Sequence, residues 1–394
     1  MKRLLVVVIL LSAAMSCGRQ ETMEEMTRRV FEVAEKQCIT MVGALDSDTM
    51  PRTYQGDSIV LSPIRWWCSG FFPGTLWYVY EYTGSEEIRK LAERQTMKVE
   101  PIKEVKHDHD VGFQINCSFG NGYRLTGNEA YRDVMHTAAH SLATRFNSHV
   151  GCIRSWDWVK KGRDWKFPVI IDNMMNLELL LSVADMYGEQ ELRNVAVSHA
   201  ATTMKNHFRE DFSCFHLVDY DHETGAVRNR ETVQGYSDSS SWARGQAWAL
   251  YGFSMVYGFV GNGEFLARAE RIADMLLARL PEDGIPYWDF DAPDIPYALK
   301  DASAGAIMAS AFITLSTQTA DKSKAKSYMA MAERQLRTLA SDAYLAKPGE
   351  NGGFILKHSV GNLPGVSEVD VPLTYADYYF LEALVKYANQ IKES

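Results

Sequence analysis

The chain has 394 residues, a formal net charge of −9 and 46% hydrophobic residues. That is enough apolar mass for a large core, and the acidic balance excludes a surface that binds nucleic acid or other polyanions at large. Nine Trp and 19 Tyr suit both a large core and walls on which sugar rings stack.

Taken in order, the chain opens on Met1-Lys2-Arg3, an apolar run from Leu4 to Leu11, then Ser12-Ala13-Ala14-Met15-Ser16-Cys17. A charged start, a short apolar run and small residues predict a secretory signal, too short to span a membrane as a mature helix. Cys17 stands where a bacterial lipobox has its lipidated cysteine. Residues 1–17 are therefore set aside as a signal peptide with a lipobox-like Cys17, and 18–394 are read as one catalytic domain. The expected location is the cell envelope, in the periplasm or at the outer membrane, with membrane contact only through an N-terminal lipid. The other cysteines (Cys38, Cys68, Cys117, Cys152 and Cys214) form no Cys-x-x-Cys pair, so neither a disulfide framework nor a zinc site is expected; they read as small buried hydrophobes.

Beyond the signal, paired helices follow one another. The amphipathic segment Glu21–Leu45 comes first. Then apolar Ser69–Tyr82 is followed after Gly84 by polar Glu86–Val99, and Val111–Leu125 by Glu129–Phe146 after Gly127. Asn173–Tyr187 precedes Glu189–Phe208, Trp242–Phe259 precedes Glu264–Leu280, and Ala302–Thr317 precedes Lys322–Ala340. Pro372–Lys392 has no successor, as the first helix has no predecessor. Gly or a polar residue stands at each turn, where a helix C-terminus needs a left-handed residue. Six apolar and six amphipathic helices with complementary ends predict an all-α (α/α)6 toroid of six inner and six outer helices. An open helical solenoid is the alternative.

In such a ring all six inner N-termini share one end. The residues there are Trp66-Trp67-Cys68-Ser69-Gly70, His107-Asp108-His109-Asp110, Asp172-Asn173, Ser241-Trp242-Ala243-Arg244-Gly245-Gln246, Lys300-Asp301 and Asp370. A lone Asp at such a place reads as an N-cap, accepting orphan amide protons. The whole collection at one rim reads as a site. Asp110 and Asp172 open adjacent inner helices, and paired carboxylates in unlike surroundings can hold one proton near neutral pH, which is glycosidase chemistry. Arg244 offers a fork of donors to a carboxylate, and His216 and Gln234 come from the preceding loop. No His-x-x-x-His pair and no dense acidic calcium loop is read in the chain, so no metal and no cofactor are expected.

His109-Asp110-Val111-Gly112-Phe113, Ile171-Asp172-Asn173-Met174-Met175-Asn176 and Trp242-Ala243-Arg244-Gly245-Gln246-Ala247-Trp248-Ala249-Leu250-Tyr251-Gly252-Phe253 resemble the unsaturated glucuronyl hydrolases of glycoside hydrolase family 88. So do Trp67-Cys68-Ser69-Gly70-Phe71 and the tail Tyr375–Leu384. The resemblance spans essentially the whole mature chain and implies an (α/α)6 fold. It also implies hydration of the C4=C5 double bond that polysaccharide lyases leave in a terminal uronic acid. Its substrates would be unsaturated glycosaminoglycan disaccharides or oligosaccharides. By motif match, Asp172 would be proton donor and then base, and Asp110 the assisting carboxylate. His109, His216, Gln234 and Arg244 would hold the unsaturated ring, Trp67, Phe71, Trp242 and Trp248 would stack on sugar faces, and Tyr378 would be a pocket tyrosine, in competition with Tyr375 and Tyr379. The rival readings are an unsaturated rhamnogalacturonyl hydrolase on pectin fragments, a conventional inverting glycosidase and a non-catalytic glycan-binding lipoprotein.

Overall fold

A computed structural model describes residues 21–45 and 48–393; the signal segment and Cys17 lie outside them. Six helices carry apolar residues on one face and charges on the other: α1 (Met23–Gly43), α3 (Glu86–Val99), α6 (Glu129–Ala143), α8 (Gln190–Asn206), α10 (Gly263–Arg279) and α12 (Lys322–Leu339). In α3 the buried residues are Ile88, Ala92, Gln95, Thr96 and Val99, a single stripe at helical spacing. These are the outer helices.

The inner set is α2 (Phe71–Thr83), α4 (Val111–Ile115) with its continuation α5 (Asn121–Thr126), α7 (Asn173–Tyr187), α9 (Ala243–Val260), α11 (Ala302–Gln318) and α13 (Thr374–Glu393). Here burial runs round the whole helix: α9 is buried at every residue from Ala243 to Val256. A helix apolar on all faces is stable only when other helices surround it. The inner helices touch in the order α2, the α4–α5 pair (through α5), α7 (through α4), α9, α11, α13 and back to α2, and α1 packs between α2, α12 and α13. The ring closes, which excludes the open solenoid.

One predicted helix is interrupted. Between α4 and α5, Asn116–Gly120 forms a π-helical turn. Ser118 Oγ donates to the Gln114 carbonyl at 2.5 Å and Asn121 Nδ2 to the Cys117 carbonyl at 3.0 Å. Side chains that bond to the backbone in this way compete with the regular ladder, and residue-type patterning does not reveal it.

Four inner helices end on a left-handed glycine, Gly84, Gly127, Gly188 and Gly261, with φ between 65° and 71°, where a side chain would be strained. Two further glycines set how closely the inner helices approach. A Cβ on Gly112 would lie 2.5 Å from Asn176 Cα, and one on Gly252 would lie 2.5 Å from Met174 Cβ. Helix α7 is thus gripped backbone to backbone by α4 and α9, which fixes the start of α7 against the start of α4.

The segments leading into the inner N-termini carry small antiparallel sheets. They are the hairpins β1 (Thr49–Gln55) with β2 (Ser58–Pro63), β3 (Phe146–Asn147) with β4 (Cys152–Ile153) and β8 (Ser359–Asn362) with β9 (Ser367–Val371), and a sheet of order β5 (Phe167–Ile170), β6 (Leu217–Tyr220), β7 (Val227–Glu231). Strand β5 delivers the chain directly to Asp172. Cys38, Cys68, Cys117, Cys152 and Cys214 are all buried and free.

Candidate active site

A cavity of about 290 Å³ opens at the end of the ring where the inner helices begin. Its wall includes Trp67, Asp108, Asp110, Trp156, Asp172, Gln234, Arg244 and Tyr375. Asp110 and Asp172 occupy the N-cap positions of α4 and α7, yet neither side chain caps its helix. Asp301 does: its Oδ1 accepts from the Ser303 amide at 3.0 Å and its hydroxyl at 2.6 Å. The capping reading therefore holds at Asp301 and fails at Asp110 and Asp172, whose carboxylates face the cavity.

Each of those two carboxylates is backed by a histidine of fixed tautomer. His216 Nδ1 is met by the Val233 amide N–H at 3.1 Å, so this nitrogen is the acceptor and Nε2 carries the proton. His216 Nε2 lies 3.7 Å from Asp172 Oδ2. His109 repeats the arrangement. Asn176 Oδ1 accepts from the Phe113 amide at 2.8 Å, which turns its Nδ2 toward His109 Nδ1 at 3.3 Å. His109 Nε2 then points at Asp110 Oδ1, 3.5 Å away. Both separations exceed a direct hydrogen bond. Asp172 Oδ2, His109 Nε2, His216 Nε2 and Trp248 Nε1 are buried and make no hydrogen bond within 3.5 Å among the described residues, although Trp248 comes close enough to Asp172 to oppose its upward shift. These four stand around Asp110 and Asp172.

Burial governs the electrostatics. It pushes Asp172 up to about 7, opposed by the Arg244 charge. It pushes Asp110 well above the usual carboxylate range too, and the neighbouring Asp108 and Asp172 charges add to the effect. The histidines move the other way: burial lowers His109 to about 4 and His216 to about 3. Around neutral pH the site therefore holds neutral imidazoles beside a carboxyl group poised between acid and base, as general acid–base chemistry requires. The wall behind Asp172 is apolar, with Ile170, Ile171 and Met174 all buried.

Arg244 lies differently from its predicted role of free carboxylate fork. Its Nη1 donates to Asp301 Oδ2 at 3.0 Å and to the Val360 carbonyl at 2.6 Å, and its Nη2 donates to the Gly361 carbonyl at 2.6 Å. The guanidinium is held near the rings of Trp242 and Tyr375. Three of its five N–H donors are thus spent on the protein, while its charge opposes the upward shift of Asp172. Gln234 Nε2 also donates to the Gly361 carbonyl, at 3.1 Å, so Arg244 and Gln234 together fasten the β8–β9 hairpin over the site.

Of the predicted residues, Asp110, Asp172, Trp67, Gln234 and Arg244 line the cavity, with His109 and His216 directly behind the carboxylates. The structure corrects four others. Phe71 is wholly buried beneath Trp67, at 5.6 Å between ring centroids. Trp242 packs on the His216 ring at 4.5 Å, and Trp248 on Phe113 and Tyr379. Tyr378 lines a separate cavity of about 550 Å³ with Tyr78, Glu178 and Glu382 and accepts a hydrogen bond from Asn121. Tyr375, three residues earlier on much the same face of α13 and one turn nearer its start at the cavity end, takes the place in the site.

Sequence reasoning missed Trp156, Trp158, Arg52, Arg65 and Glu368, all on the cavity wall. Trp156 presents its ring to the edges of both His109 and His216, with centroids 6.4 and 6.3 Å away, and stacks on Trp158 at 4.5 Å. The signal was the density of Trp in the segment from Trp156 to Trp165, which has no helical period. The reading that the chain has no His-x-x-x-His pair is also wrong: His136 and His140 stand four apart on α6, away from this site.

Residues 14–387 match Glycosyl Hydrolase Family 88. An unsaturated glucuronyl hydrolase of Formosa agariphila is 47% identical over 332 residues, covering 84% of this chain and 82% of that protein. An unsaturated glucuronyl hydrolase of Bacillus sp. strain GL1 is 34% identical, covering 86% of this chain and 91% of that protein. Among solved structures, an unsaturated glucuronyl hydrolase specific for heparin superposes with a TM-score of 0.90 at 46% identity, covering 94% of this chain and 99% of its own.

Proposed function

Given that the chain belongs to Glycosyl Hydrolase Family 88 and is a glycoside hydrolase, we propose that its substrates are lyase-generated glycosaminoglycan oligosaccharides, from which it releases the terminal 4,5-unsaturated uronic acid by hydrating the C4=C5 vinyl ether. The observation that carries this reading is the Asp172 carboxyl on the cavity wall, its buried Oδ2 without a hydrogen bond of ordinary length, poised near neutral pH against an apolar wall. A vinyl ether is activated by a proton on carbon, and a buried carboxylic acid is the group to deliver it.

In this mechanism Asp172 donates its proton to C4 and positive charge develops at C5 and the ring oxygen. The resulting Asp172 carboxylate takes a proton from water as its oxygen adds to C5. The C5 hemiketal then opens and the remaining sugar leaves. Asp110 is the second carboxyl group beside the reacting ring, with the His109 Nε2–H behind it at 3.5 Å. His216 Nε2–H faces Asp172 and offers the donor that stabilises the carboxylate after proton transfer. Trp67 and Trp156 are the aromatic walls for the sugar. The remaining donors of Arg244, with Gln234, hold the uronate carboxylate.

At the N-terminus, a cleaved signal peptide with lipidation at Cys17 is proposed on the grounds of the sequence in that region alone. It would place the enzyme in the cell envelope, where oligosaccharides from extracellular lyases arrive. Labelling with a radioactive fatty acid tests it: loss of label in Cys17→Ala supports the anchor, and no label in the unaltered chain refutes it.

The proposed activity is tested with unsaturated disaccharides from chondroitin, hyaluronan and heparin, following ultraviolet absorbance of the conjugated ene-carboxylate. Loss of absorbance with the unaltered protein and not with Asp172→Asn supports it. Absorbance that persists on all three, but falls on unsaturated rhamnogalacturonides, would transfer the enzyme to pectin fragments.

A further inference from the structure

On the outer layer of the ring, one turn of helix brings two imidazoles together. His136 and His140 lie four residues apart on α6, so they share a helix face. Their Nε2 atoms meet the two oxygens of one carboxylate: His136 Nε2 is 2.6 Å from Glu189 Oε1 and His140 Nε2 is 2.8 Å from Glu189 Oε2. Glu189 belongs to the turn between α7 and α8, where its own amide donates to the Ala184 carbonyl at 3.0 Å. The three ligand atoms lie within 4.8 Å of one another.

The surroundings hold this geometry. Tyr187 packs on the His136 ring, 4.3 Å between centroids, its hydroxyl bonds Asp133 at 3.3 Å, and Arg132 lies over the Tyr187 ring, 4.3 Å from its centre. A surface ion pair needs one histidine. Here two imidazoles from a rigid helix converge through the same ring nitrogen on one carboxylate from a different element.

We propose that His136, His140 and Glu189 form a binding site for a divalent transition-metal ion of the zinc class. Two His at i, i+4 on a helix with a carboxylate is a donor set that zinc accepts. Nitrogen ligands favour zinc, nickel or copper over magnesium and calcium, which take oxygen. To bind, each Nε2 gives up its proton, and the carboxylate shifts from accepting two N–H bonds to sharing the metal with both nitrogens. His136 and His140 are partly exposed, at 35% and 52% of their side chains, so a fourth position is open to water. The ion would tie α6 to the α7–α8 turn.

The site is structural in place. Helix α7 runs 15 residues from Asp172 to this turn, or about 22 Å at the helical rise, so the metal sits at the opposite end of the ring from the cavity. It takes no part in the chemistry of the disaccharide.

The test uses the full mature chain stripped with chelator, titrated with Zn²⁺ alone by calorimetry and followed by thermal denaturation. One Zn²⁺ per chain is expected, with a rise in melting temperature that scales with the logarithm of Zn²⁺ concentration. His136→Ala/His140→Ala should bind at least about 100-fold more weakly and lose the rise, while Mg²⁺ and Ca²⁺ give neither in any variant. Retention of turnover on the unsaturated disaccharide shows that the double variant is folded. No stoichiometric binding to the unaltered chain overturns the proposal. So does equal affinity in the double variant, which would move the ion to other residues such as Asp108, His109 and Asp110. A single substitution, Glu189→Gln, separates a metal ligand from a helix-start effect: weaker Zn²⁺ binding with an unchanged metal-free melting temperature supports the site, and unchanged binding contradicts it.

Discussion

His216 Nε2 stands 3.7 Å from Asp172 Oδ2, and its other ring nitrogen is committed to the Val233 amide. The imidazole is thereby held neutral, with its proton directed at the acid. It presents a donor to Asp172 without competing with it for a proton, since burial lowers His216 to about 3. His109 stands to Asp110 in the same relation at 3.5 Å.

The pH dependence follows from that separation. Asp172 is raised to about 7 by burial, and proton donation needs its acid form. kcat/KM should be high at mildly acidic pH and fall as pH rises through about 7. Initial rates from pH 5 to 9 check this. Loss of the limb near 7 in His216→Gln would assign that titration to the imidazole and not to Asp172.

The same shift affects stability. A carboxyl group whose folded pKa is raised holds its proton more tightly in the folded state. That contribution is full below the unfolded value of about 4 and is lost as pH rises through about 7. Asp172→Asn removes the cost of ionising the buried group. The variant should therefore melt roughly 2–5 °C above the unaltered chain at pH 8, with the gap closing as pH falls toward 4. Calorimetry at both ends decides it, and a variant less stable at pH 8 would contradict the burial argument.

Tyr375 and Tyr378 separate the site from the far cavity. Tyr375 lines the catalytic cavity beside Arg244, and Tyr378 lies among Tyr78, Asn121 and Glu382. Tyr375→Phe should lower kcat/KM about tenfold at unchanged stability. Tyr378→Phe should leave kcat/KM within about twofold and lower the melting temperature, because it removes the acceptor for buried Asn121. Steady-state kinetics with a melting curve for each variant read both effects.

Arg65 is exposed at the cavity rim, whereas Arg52 is paired with Glu368 at 2.6 Å. An exposed guanidinium at a rim is the group to meet a sulfate on the sugar beyond the cleaved bond. Arg65→Ala should raise KM for sulfated unsaturated disaccharides about threefold to tenfold and leave the unsulfated ones unchanged. Equal losses on both would place Arg65 in general ring binding.

Much of this was legible before the structure, for definite reasons. The inner helices are apolar on every face and the outer ones on a single face, a contrast that only two concentric layers satisfy. Gly84, Gly127, Gly188 and Gly261 mark the turns because their left-handed backbone demands it. Asp110 and Asp172 were legible because they stand at equivalent helix starts. Whether they cap their helices was not legible, since a capping Asp301 and a non-capping Asp172 look alike in sequence. Trp156 was missed because it lies in a loop without a period, and its place between His109 and His216 depends on two segments meeting in space. Tyr375 and Tyr378 are three apart and share a face of α13, so only their depth along the helix, fixed by where it starts relative to the cavity, tells them apart.

The mechanism has the enzyme attack the C4=C5 double bond and not the anomeric bond. The most direct test is a pair of disaccharides with the same linkage and sulfation, one unsaturated at the terminal uronate and one saturated, each incubated with the unaltered chain and with Asp172→Asn. Release of the second sugar is expected in step with loss of ultraviolet absorbance from the unsaturated member, at least about 100-fold slower with Asp172→Asn, with no cleavage of the saturated member. Cleavage of both members at comparable rates would contradict it, and would make Asp172 and Asp110 the acid and base of ordinary glycoside hydrolysis.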